Sequence, residues 1–240
     1  MSIKTFIPLF LAYLSIASSS LAPFITKCKW DDTKCLLESS QKAIVPFANG
    51  IPELNMEKLD PLQLKYVDAT TSNLKLIITD TTVTGLKNCE IKRLQRDIEH
   101  LKIIMKIQCA VDLIGTYDMK GQLFVLPIEG NGKLIAKVPK VVIDIEVNTV
   151  EKTGKDGKKH WNVKSYKHTF ELKDKSDVKF ENLFPENEFL RNTTNDLIAK
   201  NGNDVIIEIG QPVITTVVGK VMERVKKFFN GVPVEDLALE

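Results

Sequence analysis

The sequence predicts an α+β fold in which a long, curved antiparallel sheet wraps around a long C-terminal helix and encloses an elongated apolar cavity. Between about residues 74 and 172, apolar and polar side chains alternate in successive segments with no helical stretch between them. From 188 to 229 the apolar residues recur at helical spacing, and the part from 212 to 229 is apolar around most of its circumference. Such a helix requires burial on most sides, which a wrapped sheet supplies. Helices packed flat on an open sheet are the alternative.

The N-terminus has the three-part pattern of a secretory signal peptide. Lys4 supplies a positive charge, residues 6–17 are apolar, and serines follow at 18–20. The apolar stretch is too short to span a bilayer, and no later segment is long enough for stable membrane insertion. We therefore expect residues 1–20 to be removed on secretion and residues 21–240 to form a single extracellular domain. An uncleaved anchor or a buried N-terminal helix is the alternative.

The first predicted element after this signal is a helix over residues 32–48, ended by Pro46 and the Asn49-Gly50 pair. Cys28 and Cys35 flank its start. In a continuous helix their Cα atoms would lie about 10.5 Å apart, beyond the reach of a disulfide. The aspartate pair before the helix offers an N-cap that lets the preceding chain curl back, so a Cys28–Cys35 bridge is favoured.

The next predicted unit is a β-hairpin with its turn near Glu99. Residues 101–117 alternate as a long half-buried strand, and a partner strand runs from Asp97 back to Leu86. Cys89 and Cys109 are each ten residues from Glu99, so antiparallel pairing places them opposite each other. A cross-strand disulfide is one interpretation, and two buried free thiols are the other.

The remaining strands are predicted from alternation and from the turn signals between them. The strands begin with Leu74, Leu76 and Ile78 and continue over residues 122–128, 133–150 and 161–172. The turn signals lie at residues 118–121, 130–132 and 154–157. Together they predict a meander of long antiparallel strands.

The C-terminal helical segment contains two breaks and one modification signal. Gly202 and Pro212 are expected to bend or divide it. Asn192, in the sequence Asn-Thr-Thr, forms an N-glycosylation sequon.

The composition favours an aliphatic globular protein and excludes several classes. Hydrophobic residues make up 43% of the chain and aromatic residues only 7%. The 33 basic residues barely exceed the 31 acidic ones, so the net charge of +2 argues against nucleic-acid binding. Disordered, collagen-like and proline-rich classes are also excluded.

Catalytic and metal-binding motifs are missing from the sequence. It contains no nucleophile elbow, zinc-protease motif, P-loop or dinucleotide fingerprint, and we predict neither enzyme activity nor a cofactor or metal. Of the histidines, His100 and His160 lie beside turns and are expected to be solvated, whereas His168 lies within a strand as a structural residue.

Several short strings occur in a definite order along residues 28–237. They are the Cys28-x6-Cys35 pair, GIPEL at 50–54, LDPL at 59–62, GTYDM at 115–119 with Gly121 and Leu123, LPI at 126–128 with Gly130 and Gly132, FENLF at 180–184 and VPVEDL at 232–237. In order and spacing they resemble the insect Takeout and juvenile-hormone-binding protein family, and the similarity covers nearly the whole mature chain.

This resemblance implies a strongly curved sheet rolled around the C-terminal helix, with a tunnel for a hydrophobic ligand. It also implies secretion, often into haemolymph, and carriage of juvenile hormone, a related terpenoid or a fatty-acid-like lipid. It supports the Cys28–Cys35 pairing as the N-terminal disulfide of the family.

The expected ligand site combines apolar faces of two strands with one face of the C-terminal helix. Its predicted residues are Met105, Ile107, Val111, Leu113, Tyr117, Val141, Ile143, Ile145, Val213, Val217 and Val221. The Tyr117 hydroxyl would form a hydrogen bond with a polar group of the ligand. One alternative is a lipid-transfer or membrane-surface module of the same fold. Another is a hydrolase of the bound lipid that uses His168.

Overall fold

Seven antiparallel strands form one sheet in this computed structural model, which describes residues 21–239. The predicted signal peptide, residues 1–20, lies outside the described residues. The strands are β1 (Leu62–Asp68), β2 (Leu74–Thr84), β3 (Glu90–Asp97), β4 (Lys102–Leu123), β5 (Leu126–Thr153), β6 (Lys159–Leu172) and β7 (Asp177–Phe180). The main path runs β1-β2-β4-β5-β6, while β3 pairs with β4 and β7 pairs with β5.

Within residues 21–239, five α-helices pack against this sheet. They are α1 (Thr33–Asn49), α2 (Glu188–Lys200), α3 (Gly202–Ile209), α4 (Gln211–Gly231) and α5 (Val234–Leu237). Short 3₁₀ helices lie at Pro52–Leu54 and Leu86–Asn88. The predicted breaks in the C-terminal segment are confirmed, since α3 begins at Gly202 and Pro212 lies in the first turn of α4.

Helix α1 begins and ends within one residue of its predicted bounds, 32–48. The Asp32 carboxylate accepts a hydrogen bond from the Cys35 backbone N–H at 3.0 Å and caps the helix. Pro46 lies inside the helix and does not end it, so of the two predicted stop signals only the Asn49-Gly50 pair is confirmed. A proline in the last turn removes one backbone bond without stopping the turn already begun. Gly50, at φ 82°, ends the helix and donates its N–H to the Phe47 carbonyl.

The β3–β4 hairpin places Cys89 opposite Cys109, as expected, but it does so through a β-bulge that the sequence did not reveal. Near the turn the register pairs Leu94 with Met105, and a bulge between Ile91 and Arg93 then shifts it by one residue. The two cysteines are joined in a disulfide, as are Cys28 and Cys35. The predicted partner strand is shorter than expected, because Leu86–Asn88 is a 3₁₀ helix.

Two predicted turns are wrong. Residues 118–121 lie inside β4 and residues 130–132 inside β5, and the hairpin that joins these strands is at residues 124–125. The glycines in these two stretches instead lie where another segment of the backbone passes close to the strand. A β-carbon on Gly130 would lie 2.7 Å from the Asn182 carbonyl oxygen and 2.9 Å from the Tyr117 hydroxyl. Glycine at this position leaves room for residues 181–187, which connect β7 to α2 across β5 and which we call the crossing segment.

The sheet wraps around α4, which confirms the predicted architecture. Helix α4 contacts both β1 and β6, the two ends of the five-strand path. These two strands are not paired with each other along the described chain, so the sheet stays open. Val218, Met222 and Phe228 on α4 are buried, each at 3% exposure or less.

None of the described helices is by itself long and apolar enough to cross a membrane. Helices α3 and α4 meet the length and composition requirement only together, and they are bent by 69° at their junction.

Candidate functional site

Two apolar chambers lie between the sheet and the helices. The first, which we call the α3 chamber, has a volume of about 140 Å³ and is closed on one side by α3 and the start of α4. Its helical wall includes Ile206, Ile209, Val213 and Ile214. Strands β2, β4, β5, β6 and β7 and the 3₁₀ helix at Leu86–Asn88 complete it with aliphatic side chains and Phe180, so that it holds almost no polar surface.

The second chamber lies beneath α1, and we call it the α1 chamber. Its volume is about 290 Å³. Leu36, Ala43 and Phe47 of α1 form one wall, and the C-terminal half of α4 forms another with Val221 and Met222. Residues of β3, β4 and β5 form the floor, and Trp161 of β6 lies at one end.

The two chambers meet at a shared wall. The residues that line both are Leu86, Cys109, Ile143, Val217 and Val218. The Cys89–Cys109 bridge belongs to this wall, and it fixes the 3₁₀ helix that carries Leu86 against β4.

The structure brings together the predicted ligand-site residues except Tyr117. Val111, Leu113, Val141 and Val213 line the α3 chamber. Met105, Ile107, Ile145 and Val221 line the α1 chamber. Ile143 and Val217 line both.

Tyr117 faces a different part of the core from the one expected. Its hydroxyl donates a hydrogen bond to the Glu181 carbonyl at 2.7 Å, and its ring packs edge-on against Phe180 at 4.9 Å. Burial raises the pKa of this phenol, and the negative charge of Glu181 adds to the effect. Tyr117 is not among the residues that line either chamber, so its hydroxyl holds the crossing segment in place and faces no ligand space.

Polar groups in the chambers are few and mostly engaged. The Ser39 hydroxyl bonds both the N–H and the carbonyl of Thr26, each at 2.9 Å, and the Ser40 hydroxyl donates to the Leu37 carbonyl. Within residues 21–239, Arg96 is the only charged residue lining the two chambers. Its guanidinium lies over the Trp161 ring, 4.7 Å from the centroid.

Sequence reasoning missed the walls supplied by α1, α3 and Trp161, and it missed Arg96. The apolar periodicity of α1 and α3 indicated burial but not the surface against which each helix packs. Arg96 is one of several charged residues in the sequence of β3, and its pairing with Ile103, which also lines the α1 chamber, could not be inferred from that pattern.

The histidines differ in their surroundings. His160 was expected to be solvated, and this is wrong, since it is 6% exposed. Its ring lies between the Asp156 carboxylate, 3.0 Å from Nε2, and the Phe229 carbonyl, 3.4 Å from Nδ1. His100 is exposed and pairs with Asp97.

His168 does not have the geometry that the hydrolase alternative needs. It is half-buried within β6, and its Nε2 is buried without a hydrogen-bond partner among the described residues. A nucleophile and its base must lie within hydrogen-bond reach, and no serine or cysteine within residues 21–239 bonds this nitrogen. Asn192 of the sequon is exposed on α2.

Comparisons with known proteins agree with this architecture. A family model described as "Haemolymph juvenile hormone binding protein (JHBP)" matches residues 9–239. The crystal structure of Takeout 1 from Epiphyas postvittana superposes with a TM-score of 0.86 at 27% identity, covering 90% of this chain and 100% of that one.

Two relatives by sequence extend the comparison. The circadian clock-controlled protein daywake of Drosophila melanogaster is 24% identical over 233 residues, which is 92% of this chain and 89% of that protein. The juvenile hormone-binding protein of Manduca sexta is 27% identical over 90 residues, 36% of this chain and 39% of that one. The family match over nearly the whole length, on a sheet wrapped around a C-terminal helix, shows that this chain belongs to the haemolymph juvenile hormone binding protein family.

Proposed function

We propose that this protein is a secreted, non-enzymatic carrier of a hydrophobic small molecule. The observation that carries the proposal is the pair of adjoining chambers, walled by aliphatic and aromatic side chains from the sheet, α1, α3 and α4. In the proposal, the two chambers act as one elongated cavity through the wall that they share. Most single-domain cores are close-packed, so apolar space of this extent is typical of a ligand site.

The energetics of such a site favour a long apolar ligand. Each ligand CH₂ transferred from water into the chambers contributes about 0.8 kcal/mol. A chain of about fifteen carbons therefore gains on the order of 10 kcal/mol before ordering costs, which is sufficient for micromolar or tighter binding. No covalent step is required.

The ligand class that we propose is juvenile hormone, a related terpenoid or a fatty-acid-like lipid. The Manduca sexta relative is named for juvenile hormone binding, but it matches only about a third of this chain. The apolar walls suit any of the three.

Secretion is supported by the cysteines. Both disulfides require an oxidising compartment, and no cysteine among the described residues is free. The apolar N-terminal stretch and the exposed Asn192 sequon are also typical of a secreted protein. We propose that residues 1–20 are removed and that Asn192 is available for glycosylation.

A lipid-transfer or membrane-surface role is the second candidate, and one surface feature favours it. The tip of the β4–β5 hairpin exposes Phe124, Val125 and Leu126, with Val125 84% exposed. Apolar residues at an exposed tip are suited to contact with a lipid surface. Co-flotation of the protein with phosphatidylcholine vesicles would support this role, and its loss in Val125→Asp would assign the contact to the hairpin.

The carrier proposal is tested on protein purified natively from a secreting host. We expect organic extraction followed by mass spectrometry to recover an apolar small molecule in near-stoichiometric amount. After delipidation, the protein should bind a fluorescent fatty acid that unlabelled lipids displace. Recovery of no lipid together with failure to bind the fluorescent fatty acid would refute the carrier function.

A further inference from the structure

We propose that Leu86 determines the ligand specificity of the cavity: at the shared wall it lets an unbranched, flexible chain pass between the two chambers and excludes a rigid ring system. This inference rests on the proposed carrier function and adds the shape of the ligand to it. The argument depends on the sizes of the chambers, on the sides from which the shared wall is built and on the contacts that hold Leu86 in place.

The two chambers differ in size, and neither alone holds a long chain. An apolar cavity of about 150 Å³ takes up one benzene ring. By the same proportion the α3 chamber, at about 140 Å³, holds about six carbons, and the α1 chamber, at about 290 Å³, holds about twelve. A ligand with more than about twelve carbons must therefore pass the shared wall to bury the rest of its chain.

The shared wall is built from three sides of the cavity. Cys109 and Ile143 contribute to it from the sheet, Val217 and Val218 from α4, and Leu86 from the 3₁₀ helix. All of these side chains are apolar, so a hydrocarbon chain that crosses between them displaces no polar partner. The width available to the chain depends on the volume of each contribution, because packed side chains leave little free space.

The backbone around Leu86 is held by an aspartate and by close contact with β4. The Asp60 carboxylate accepts hydrogen bonds from the backbone N–H groups of Gly85 and Lys87, at 3.1 and 2.9 Å. A β-carbon on Gly85 would lie 2.2 Å from the Ala110 carbonyl oxygen, so this turn lies directly against the strand. These contacts fix the backbone from which the Leu86 side chain extends.

The chain after Leu86 is held by the disulfide and by α1. Cys89 is bonded to Cys109. The Gln41 side chain donates to the Cys89 carbonyl at 3.1 Å and accepts from the Ile91 N–H at 2.7 Å. Withdrawing Leu86 from the shared wall would disrupt these bonds, each of which contributes to stability. The size limit is therefore set by the leucine side chain, and changing its volume should change which ligands bind.

Rigid and flexible ligands of equal carbon number meet this wall differently. A linear chain is narrow and rotates about each of its bonds, so it can follow a constricted path between the chambers. A fused ring system keeps its full width, and a close-packed wall tolerates little added volume. A rigid ligand too large for one chamber therefore leaves carbons unburied, and each of them lowers the affinity by about fourfold.

The test compares a flexible and a rigid alcohol on the delipidated full-length secreted protein. Displacement of the neutral fluorophore N-phenyl-1-naphthylamine is measured with nonadecan-1-ol and with androstanol, which has the same number of carbons in a fused-ring skeleton. We expect the wild type to bind the linear alcohol about a hundredfold or more tightly. Leu86→Ala should raise the affinity for androstanol by about tenfold or more and change that for the linear alcohol by less than about threefold.

A larger side chain at the same position provides the converse test. With linear alcohols of increasing length, the affinity of the wild type should rise by about fourfold per CH₂ and continue to rise beyond about twelve carbons. In Leu86→Phe the rise should stop at about twelve carbons, because the passage is narrower. Decan-1-ol should bind the wild type and Leu86→Phe equally, which shows that the variant is folded.

Leu172→Ala is the matched control. Leu172 is partly buried, as Leu86 is, but it lines only the α3 chamber. The variant removes the same volume without widening the shared wall, so it should keep the wild-type preference for the linear alcohol.

The outcomes distinguish this inference from the carrier function. Equal affinity of the wild type for the two alcohols, or a preference that Leu86→Ala leaves unchanged, would overturn the role of Leu86 and leave the carrier function intact. An equal gain of androstanol binding in Leu172→Ala would also overturn it, since the gain would then come from added volume alone. Binding of no alcohol of any length by the wild type would overturn both.

Discussion

Cys89 and Cys109 are bonded across the β3–β4 hairpin, with their Cα atoms 4.3 Å apart, in the wall that the two chambers share. The bridge follows the register shift produced by the bulge between Ile91 and Arg93. If the pairing near the turn continued without the bulge, Glu90 would lie opposite Cys109, and Cys89 would be displaced by one position to the other face of the sheet. The bulge therefore both positions this disulfide and sets the wall between the chambers.

We predict that the Cys89→Ser, Cys109→Ser double variant lowers the free energy of unfolding by about 3 kcal/mol. The bridge closes a loop with a sequence separation of 20, and cross-linking removes entropy from the unfolded chain in proportion to the logarithm of loop length. The Cys28–Cys35 bridge spans only 7 positions, so its double serine variant should lose less, about 2 kcal/mol. Guanidinium unfolding measures both variants, and the opposite ranking would contradict the entropic argument.

We predict that Val217→Arg abolishes binding of a fluorescent fatty acid. Val217 lines both chambers, and a guanidinium placed there would lie in apolar space without a partner. Fluorescence titration should show an affinity lower by about a hundredfold or more. Thr215→Arg is the control, since Thr215 is exposed on the same helix. Unchanged affinity in Val217→Arg would remove α4 from the ligand site.

We predict that Tyr117→Phe destabilises the fold without changing ligand affinity. The variant leaves the Glu181 carbonyl without the hydroxyl that now donates to it at 2.7 Å, at a cost of about 1–2 kcal/mol. Since Tyr117 lines neither chamber, titration with the fluorescent fatty acid should give the wild-type dissociation constant. Weaker binding of the fatty acid with an unchanged urea midpoint would instead indicate that the Tyr117 hydroxyl contacts the ligand.

We predict that Asp156→Asn reduces the loss of stability in acid. The hydrogen bond from His160 lowers the pKa of Asp156 below its ordinary value of 3.8. Because folding then favours the ionised carboxylate, its contribution is complete above about pH 4 and is lost as the pH falls through the lowered pKa. Urea midpoints measured from pH 6 downwards should fall more steeply below pH 4 for the wild type than for the variant. Parallel curves would contradict a stabilising role for this pair.

Much of the architecture was predictable because its signals are local. The alternation around Cys109 predicted β4, and the helical spacing after residue 188 predicted α2–α4 with breaks at Gly202 and Pro212. Strands β1 and β7 were missed. Strand β7 has only four residues, and the seven residues of β1 place Tyr66 and Val67 in succession, so neither gives a long pattern of period two.

The misplaced turns have a different cause. Gly130 was interpreted as a turn residue, although its missing side chain is required by the Asn182 carbonyl 52 positions further along the chain. A glycine that permits a local turn and one that permits a distant close approach look the same in sequence. Only contact with the crossing segment distinguishes them.

The sequence by itself determined most strands of the sheet, the breaks in the C-terminal helices, the proximity of Cys89 to Cys109 and ten of the apolar residues that line the chambers. These follow from periodicity and spacing, which act within one strand or one hairpin. The tertiary structure alone decided that Tyr117 bonds Glu181, that His160 is buried and that Arg96 faces the α1 chamber. Each of these depends on contact with another segment: residues 181–187 for Tyr117, the end of α4 for His160 and Trp161 of β6 for Arg96. Periodicity within one element carries no information about such contacts, because they form only when the fold brings distant segments together.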